Sequence, residues 1–387
     1  MSAGTASGRF VSSSTTGEVV RSFVPDPLPP VPAVDLAPLF PLLDRANQAL
    51  GRLDGLTAVL PEATLFLYSY VRKEAVLSSQ IEGTQSSLSD LLLFESDAAP
   101  GVPMGDVREV SNYVAAMQHG LDRLQEELPL SLRLIREVHD RLLTGGRGNH
   151  QTPGEFRRSQ NWIGGTRPAN AVYVPPPPEH LGACLGDFER ALHDESLPLL
   201  IQAGLLHVQF ESIHPFLDGN GRLGRLLITL FLCQRKVLKE PLLYLSLYFK
   251  THRSEYYDLL QRVRFEGAWT EWLTFFLEAV DSTARLASDT ATALLQLFAS
   301  DRARIQQLGK GSSSAFRVHE HLQRKPITSI HEAAEATGLS VPAITTAVGR
   351  LVQQEMVTEI SGRRRDRLFA YATYLEIMNL GTEPLPR

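Results

Sequence analysis

The chain has 387 residues, 43% of them hydrophobic and 21% charged, a balance that supports packed domains and excludes a disordered polymer. Lys plus Arg number 38 against 43 Asp plus Glu, a formal net charge of −5, too even for a protein that coats nucleic acid or an anionic membrane with its whole surface. Two cysteines, Cys184 and Cys233, make neither a disulfide framework nor a Cys-rich zinc site, which points to a reducing, cytoplasmic compartment.

Residues 1–35 are rich in Gly, Ser and Thr and then in Pro (Pro25, Pro27, Pro29, Pro30, Pro32), a composition that reads as a flexible arm. They contain no apolar h-region, so no secretory signal is read there. Helical patterning starts near Leu36. Pro61 and Glu62 open a helix with Leu65, Tyr68, Val71, Ala75 and Ile81 on one face, and Gly83 is its natural stop. Further helices are predicted over 88–94, 107–124 and 132–143, with a Pro/Gly loop at 95–105 that holds Pro100 and Gly101. Residues 145–180 break the pattern with Gly145, Gly146, Gly148, Pro153, Gly154, Gly164, Gly165 and Pro168, then four prolines at 175–178. Two short β-like pieces, 161–163 and 171–174, predict a hairpin there. Helices return at about 179–193, 199–213, 222–237, 243–248, 254–267 and 270–308, and GKGSSS at 309–314 reads as a linker. The longest largely apolar run, 226–233, is far short of the ~20 residues a bilayer requires, so no membrane span is expected.

The stretch 214–225, HPFLDGNGRLGR, lies between two helical patterns and concentrates reactive residue types. His214 can take a proton near neutral pH. Asp218 can hold a divalent ion against a polyphosphate. The backbone N–H groups of Gly219, Asn220 and Gly221 can form a nest for an anion at a helix start. Arg222 and Arg225, three apart, share one face of the first turn and can reach the same anion. Gly219, Gly221 and Gly224 spell GxGxxG, but a dinucleotide site needs a strand before the glycines, and the preceding segment patterns as a helix. A P-loop is excluded by the missing Lys and Ser/Thr, and an EF-hand by Arg222 and Leu223 at positions that need a ligand and a glycine.

HPFLDGNGRLGR matches the Fic family signature HxFx(D/E)GNGRxxR at every specified position, and PGEFRRSQNWIGG at 153–165 resembles the family's approach to its flap hairpin. The resemblance implies a mainly α, helical core with a small β-hairpin flap, and transfer of AMP from ATP to a Ser, Thr or Tyr hydroxyl of a target protein. It implies His214 as the base, Asp218 as the Mg²⁺ ligand, Gly219, Asn220 and Gly221 as the phosphate cradle, and Arg222 and Arg225 as clamps. Ser78, Glu82 and Gly83 match the family's inhibitory motif (S/T)xxxE(G/N). That match implies an ion pair between Glu82 and Arg225 that denies the γ-phosphate its clamp. Tyr256 and Tyr257 border the adenine or pack a helix, whereas Trp269 and Trp272 belong to the core.

Residues 315–378 predict three helices, over 316–322, 329–336 and 341–354, and a hairpin of 357–360 and 368–371 around an Arg-rich turn. This order looks like a winged helix-turn-helix, with Thr345, Thr346 and Arg350 facing a major groove and Arg363, Arg364 and Arg365 meeting phosphates. A protein-docking or dimerising role remains the alternative, since nine Lys/Arg against eight Asp/Glu from residue 313 onward give a weak field. The domains expected are thus a flexible arm (1–35), an N-terminal helical region with the inhibitory helix (36–125), a Fic catalytic core (126–285), a helix and linker (286–312) and a winged helix-turn-helix domain (313–387). The expected partners are ATP, a protein target, DNA or a docking protein at 313–387, and a second copy in a homodimer. A transcription regulator that uses the Fic core only as a nucleotide sensor is the competing reading, and the intact His214 favours the enzyme.

Overall fold

The computed structural model describes residues 6–15, 18–59, 64–96, 102–145, 150–309, 311–363 and 365–385. Pro61, Glu62, Pro100, Gly101, Gly146, Gly148 and Arg364, singled out above, lie outside the described residues.

The chain opens with a hairpin. Strands β1 (Gly8–Thr15) and β2 (Glu18–Pro25) pair antiparallel with Phe10 opposite Phe23. This corrects the expectation of a flexible arm over its described part. Composition averaged over 35 residues hides the short run VVRSFV, whose Val20, Phe23 and Val24 are buried. Phe23 N donates to Val174 O at 2.8 Å, and the Phe23 ring meets Phe10, Tyr173 and Phe265. That burial overrides a Gly/Ser-rich context.

Helices follow: α1 (Phe40–Val59), α2 (Thr64–Ile81), α3 (Leu88–Phe94), α4 (Met104–Gln125), α5 (Leu132–Leu143), α6 (Pro178–Leu192), α7 (Leu199–Ile213), α8 (Asn220–Gln234), α9 (Ser246–Thr251), α10 (Arg253–Glu266) and α11 (Trp269–Gln306). Local signals set their ends. Gly83, at φ +100°, ends α2, and Ser87 and Asp90 form a reciprocal capping box that starts α3. The α7 helix has no polar face and is buried all round, so it sits at the centre of the bundle. Gly224 lets α8 close on α7, because a Cβ there would fall 2.4 Å from Glu211 Oε1. The α11 helix, about 57 Å long at the standard rise, is the spine of the molecule. Trp272 Nε1 on it donates to Gly204 O of α7 at 2.9 Å, and Ala287 O accepts from Tyr70 OH of α2 at 2.7 Å.

The predicted hairpin over 161–174 is reduced to one antiparallel bridge, Ile163 with Tyr173, around a single turn of 3₁₀ helix at Pro168–Asn170. The C-terminal part contains α12 (Ser312–Arg324), β3 (Ile327–Ser329), α13 (Ile330–Thr337), α14 (Val341–Gln353), β4 (Thr358–Glu359), β5 (Leu368–Ala370) and α15 (Ala372–Asn379). Its three-stranded antiparallel sheet has the order β3-β5-β4. Here the reading at 309–314 is corrected, since Ser312 already begins α12. The strand β3 and the helix α15 are elements that short, weakly periodic runs did not announce. Tyr371 OH donates to Asp301 of α11 at 2.7 Å, which ties this unit to the spine. No helix among the described residues is long and apolar enough to cross a membrane.

Candidate active site

The loop between α7 and α8 begins at His214, which caps α7 in the left-handed region (φ 47°, ψ 62°). A non-glycine residue holds that conformation only where its surroundings fix it. Here its N–H bonds Phe210 O at 2.9 Å, and Arg157 Nε and Asn161 Nδ2 donate to its carbonyl at 3.0 and 3.3 Å. Arg157 also donates to Pro176 O, and Asn161 Nδ2 to Phe216 O at 2.8 Å. The segment at 153–165 therefore works as a brace for the loop. His139 of α5 is a second brace. Its Nδ1 accepts from Gly154 N (2.9 Å), so its Nε2 carries the proton and donates to Asp218 O (3.0 Å). Its ring stacks on Phe216 at 3.7 Å between centroids. His139, Arg157 and Asn161 were missed in the sequence, because contacts to backbone carbonyls leave no periodic or motif signal.

The turn then runs into α8. Gly219 takes φ +78°, and even without that a Cβ would press Leu143 Cδ2 at 3.2 Å. Asp218 Oδ1 accepts from Gly219 N at 2.6 Å. Asn220 bonds both backbone groups of Phe216 with its side chain, at 2.9 and 2.8 Å, so the side chain shapes the loop. Of the three N–H groups expected to form a nest, that of Gly219 is therefore already bonded. With the Gly219 N–H spent on Asp218, the helix start presents the N–H groups of Asn220, Gly221 and Arg222.

Arg222 and Arg225 are both buried, at 4% and 2% side-chain exposure. Each meets a carboxylate from the N-terminal helices. Arg222 Nη1 lies 3.0 Å from Glu109 Oε1 of α4, and Nη2 lies 3.7 Å from Asp218 Oδ1. Arg225 Nη2 donates to Glu82 Oε1 at 2.7 Å and to Ser78 O at 3.0 Å, while its Nε donates to Ser78 Oγ at 2.9 Å. Gly221 makes room for this: a Cβ there would fall 2.4 Å from Glu82 Oε1. Ser78 and Glu82, at the end of α2, thus meet Arg225, while Gly83 closes the helix with its N–H on Gln80 O.

Burial, then the positive charges of Arg264 and Arg157, lowers His214 to about 3, so its ring is neutral near pH 7. Burial likewise lowers His139 to about 4. Burial pushes the Glu82 carboxyl up, but Arg225, with Arg222 and Arg253 beyond it, outweighs this and holds it below the usual carboxylate range. Burial raises Glu211 to about 7 against the opposing pull of Arg225. The Glu211 carboxylate lies 4.0 Å from His214 Nδ1.

The remaining candidates divide. Tyr256 is fully buried with its OH on His207 Nε2 at 2.8 Å, so it packs the core and is not free to border a nucleotide. Tyr257 is 38% exposed, with Arg253 over its ring at 5.3 Å. Trp269 and Trp272 are core. In α14, Thr345 and Thr346 are exposed, with hydroxyls bonded back to Val341 O and Pro342 O. Arg350 corrects the expectation of a groove-facing side chain: it packs on Gly311, where a Cβ would fall 1.4 Å from its Nη1. Arg363 and Arg365 are exposed in the wing.

Residues 40–122 match the Fic/DOC family N-terminal model, 129–232 the Fic/DOC family model and 313–358 the winged helix-turn-helix DNA-binding model. The protein adenylyltransferase Fic of Drosophila grimshawi is 30% identical over 257 residues, which cover 63% of this chain and 48% of that protein. The protein of the same name from Culex quinquefasciatus is 30% identical over 258 residues, covering 64% and 47%. The chain spans about half the length of the curated relatives it matches. A Fic family protein from Desulfovibrio desulfuricans G20 shares the fold with a TM-score of 0.58 at 20% identity, over 88% of this chain and 97% of that one. Fic-1 from C. elegans does so with a TM-score of 0.51 at 24% identity, over 67% and 74%.

Proposed function

Because the chain belongs to the Fic/DOC family, we propose that it is a protein adenylyltransferase, moving AMP from ATP to a Ser, Thr or Tyr hydroxyl of a protein target and restrained by Glu82. The observation that carries this reading is the braced loop: a neutral His214 four residues ahead of a half-exposed Asp218, an open helix start and two arginines. The target hydroxyl gives its proton to His214. Its oxygen bonds the α-phosphorus as the bond from that phosphorus to the bridging oxygen breaks, and pyrophosphate leaves with the electron pair. The N–H groups of Asn220, Gly221 and Arg222 and the Arg225 guanidinium meet the charge spread over the phosphates.

Among the described residues no group of three or more His, Cys, Asp or Glu side chains stands together as an all-protein metal cage. One half-exposed carboxylate beside a triphosphate is the donor set that Mg²⁺ accepts, so the residues fit that ion. Asp218 would hold it, and its charge would offset that of the phosphates.

The brake follows from competition for one guanidinium. Arg225 has its Nε and Nη2 committed to Ser78 and Glu82. A γ-phosphate that reaches Arg225 must displace the Glu82 carboxylate, which is tethered at the site. Incubation with ATP labelled at the α-phosphate and Mg²⁺, followed by mass spectrometry of modified protein, tests the activity.

A second reading rests on a separate observation, the match of 313–358 to a DNA-binding winged helix-turn-helix together with the exposed Thr345, Thr346, Arg363 and Arg365. In it the C-terminal unit docks on duplex DNA, and the Fic core responds to nucleotide.

A further inference from the structure

The helix that presents Glu82 is engaged on two sides. Ser78 and Glu82 face Arg225 of the core. Other residues of α2 face the C-terminal unit. Ser69 Oγ and Tyr374 OH are 2.7 Å apart, and Gln80 Nε2 donates to Thr382 O and to Ser86 O, each at 2.8 Å. Ser69, Gln80, Tyr374 and Thr382 are all fully buried. The end of α15 and the chain beyond it are pinned at more points. Asn379 Nδ2 donates to Ser89 Oγ at 2.9 Å, and Lys250 Nζ donates to Gly381 O at 3.0 Å and to Glu383 O. Gly381, at φ +81°, passes so close to α9 that a Cβ would meet Leu247 Cδ1 at 2.8 Å.

This tail therefore threads between the α2–α3 turn and α9. The turn is itself tightly knit: Glu82 N bonds Ser79 O at 3.1 Å, Gly83 N bonds Gln80 O at 3.0 Å, and Thr84 N bonds Ser79 O at 3.3 Å. Gln80 and Glu82 thus move as one piece. Withdrawal of the tail would remove one acceptor from the buried Gln80 amide and two from the buried Lys250 ammonium. Buried donors left unpaired are costly, so the turn would shift to find water or new partners.

We propose that residues 379–383 are a latch that holds the α2 terminus in the register that presents Glu82 to Arg225, so that the C-terminal unit sets the strength of the brake. This rests on the proposed Glu82 inhibition and names what controls it. A ligand can move such a balance only by favouring one of its two states, and here the two states are tail seated and tail released.

The test uses the full chain with Gln80→Ala, a truncation after Met378, and each change combined with Glu82→Gly. With the Glu82 pair weakened, AMP transfer rises about tenfold in Gln80→Ala and in the truncated chain, the scale that one or two lost hydrogen bonds give a two-state balance. Neither change raises transfer further in the Glu82→Gly background. Amide hydrogen exchange at Glu82, Gly83 and Thr84 quickens in Gln80→Ala while the thermal melt of the core stays in place, a readout that needs no activity. Unchanged exchange at those three amides overturns the latch whether or not the protein transfers AMP. Faster exchange with unchanged transfer, where Glu82→Gly is active, overturns its link to the brake.

Discussion

Nη2 of Arg225 lies 2.7 Å from Oε1 of Glu82, across 143 residues of sequence, and the arginine is 2% exposed while the glutamate is 36% exposed. The cation is thus committed to the interior, and the carboxylate is the partner able to leave. That asymmetry makes Glu82 the movable half of the pair.

Replacing Glu82 with Gly leaves a buried guanidinium short of its main counter-charge. The cost of removing one member of a buried pair is about 3–5 kcal/mol; partial exposure of Glu82 and the retained Ser78 bonds reduce it to about 1–3 kcal/mol. Glu82→Gly should therefore melt lower than the parent without nucleotide. It should also gain more from ATP and Mg²⁺, because phosphate then takes the place of the carboxylate. Differential scanning calorimetry with and without ATP reads both effects, and an equal ATP shift in the two proteins contradicts the competition.

His214→Ala should reduce AMP transfer by at least the ~10²–10⁴ that a positioned base contributes. Nucleotide affinity should change little, since the phosphate groups on α8 and Arg225 remain. Titration calorimetry and labelled-ATP transfer, run on the Glu82→Gly background, separate these quantities. Loss of nucleotide binding together with activity would assign His214 to binding.

How much of this is legible before the fold is known depends on where the information lies. The loop 214–225 is legible because its chemistry is contiguous, α5 because its pattern is amphipathic and capped by Ser131, and α7 because its apolar run lies between Pro198 and that loop. Glu82 against Arg225 is read only through a family motif, since nothing local in SSQIEG points to a residue so far along the chain. The braces His139, Arg157 and Asn161 bind carbonyls that any sequence would supply. The hairpin 8–25 hides a six-residue run with four apolar side chains in a polar average, and the tail at 379–383 is held largely through its backbone carbonyls, which carry no side-chain signature.

The pH dependence follows from the site charges. His214, lowered to about 3 by burial and by Arg264 and Arg157, stays neutral at every pH above about 5, so its protonation gives no acid limb near the usual histidine value. Glu82 is held low, so its pair with Arg225 is complete above the unfolded carboxylate range and weakens only as pH falls through that lowered value. The ratio of Glu82→Gly to parent activity should thus be constant from about pH 6 to pH 9. Glu211, raised to about 7 by burial, is the group beside His214 that titrates in this window. Any inflection near neutrality should vanish in Glu211→Gln and persist if it belongs to His214.

If the C-terminal unit docks on DNA, the wing arginines neutralise phosphates. Replacing Arg363, Arg364 and Arg365 with Ala in the full chain should weaken binding to all duplexes alike and flatten the log–log salt slope by about 2–3. Thr345 or Thr346 changed to Ala should instead alter preference between sequences. Fluorescence anisotropy at several salt concentrations reads both, and no binding of any duplex at micromolar protein and low salt would leave protein docking as the role of this unit.

The most direct test of a restrained adenylyltransferase compares the parent, Glu82→Gly and Glu82→Gly with His214→Ala, each incubated with α-labelled ATP and Mg²⁺ and read by label transfer and mass spectrometry. The account predicts weak labelling of the parent, strong AMP labelling on Ser, Thr or Tyr in Glu82→Gly, and none in the double variant. A folded, ATP-binding Glu82→Gly protein that labels itself and lysate proteins no more than the parent does would contradict it.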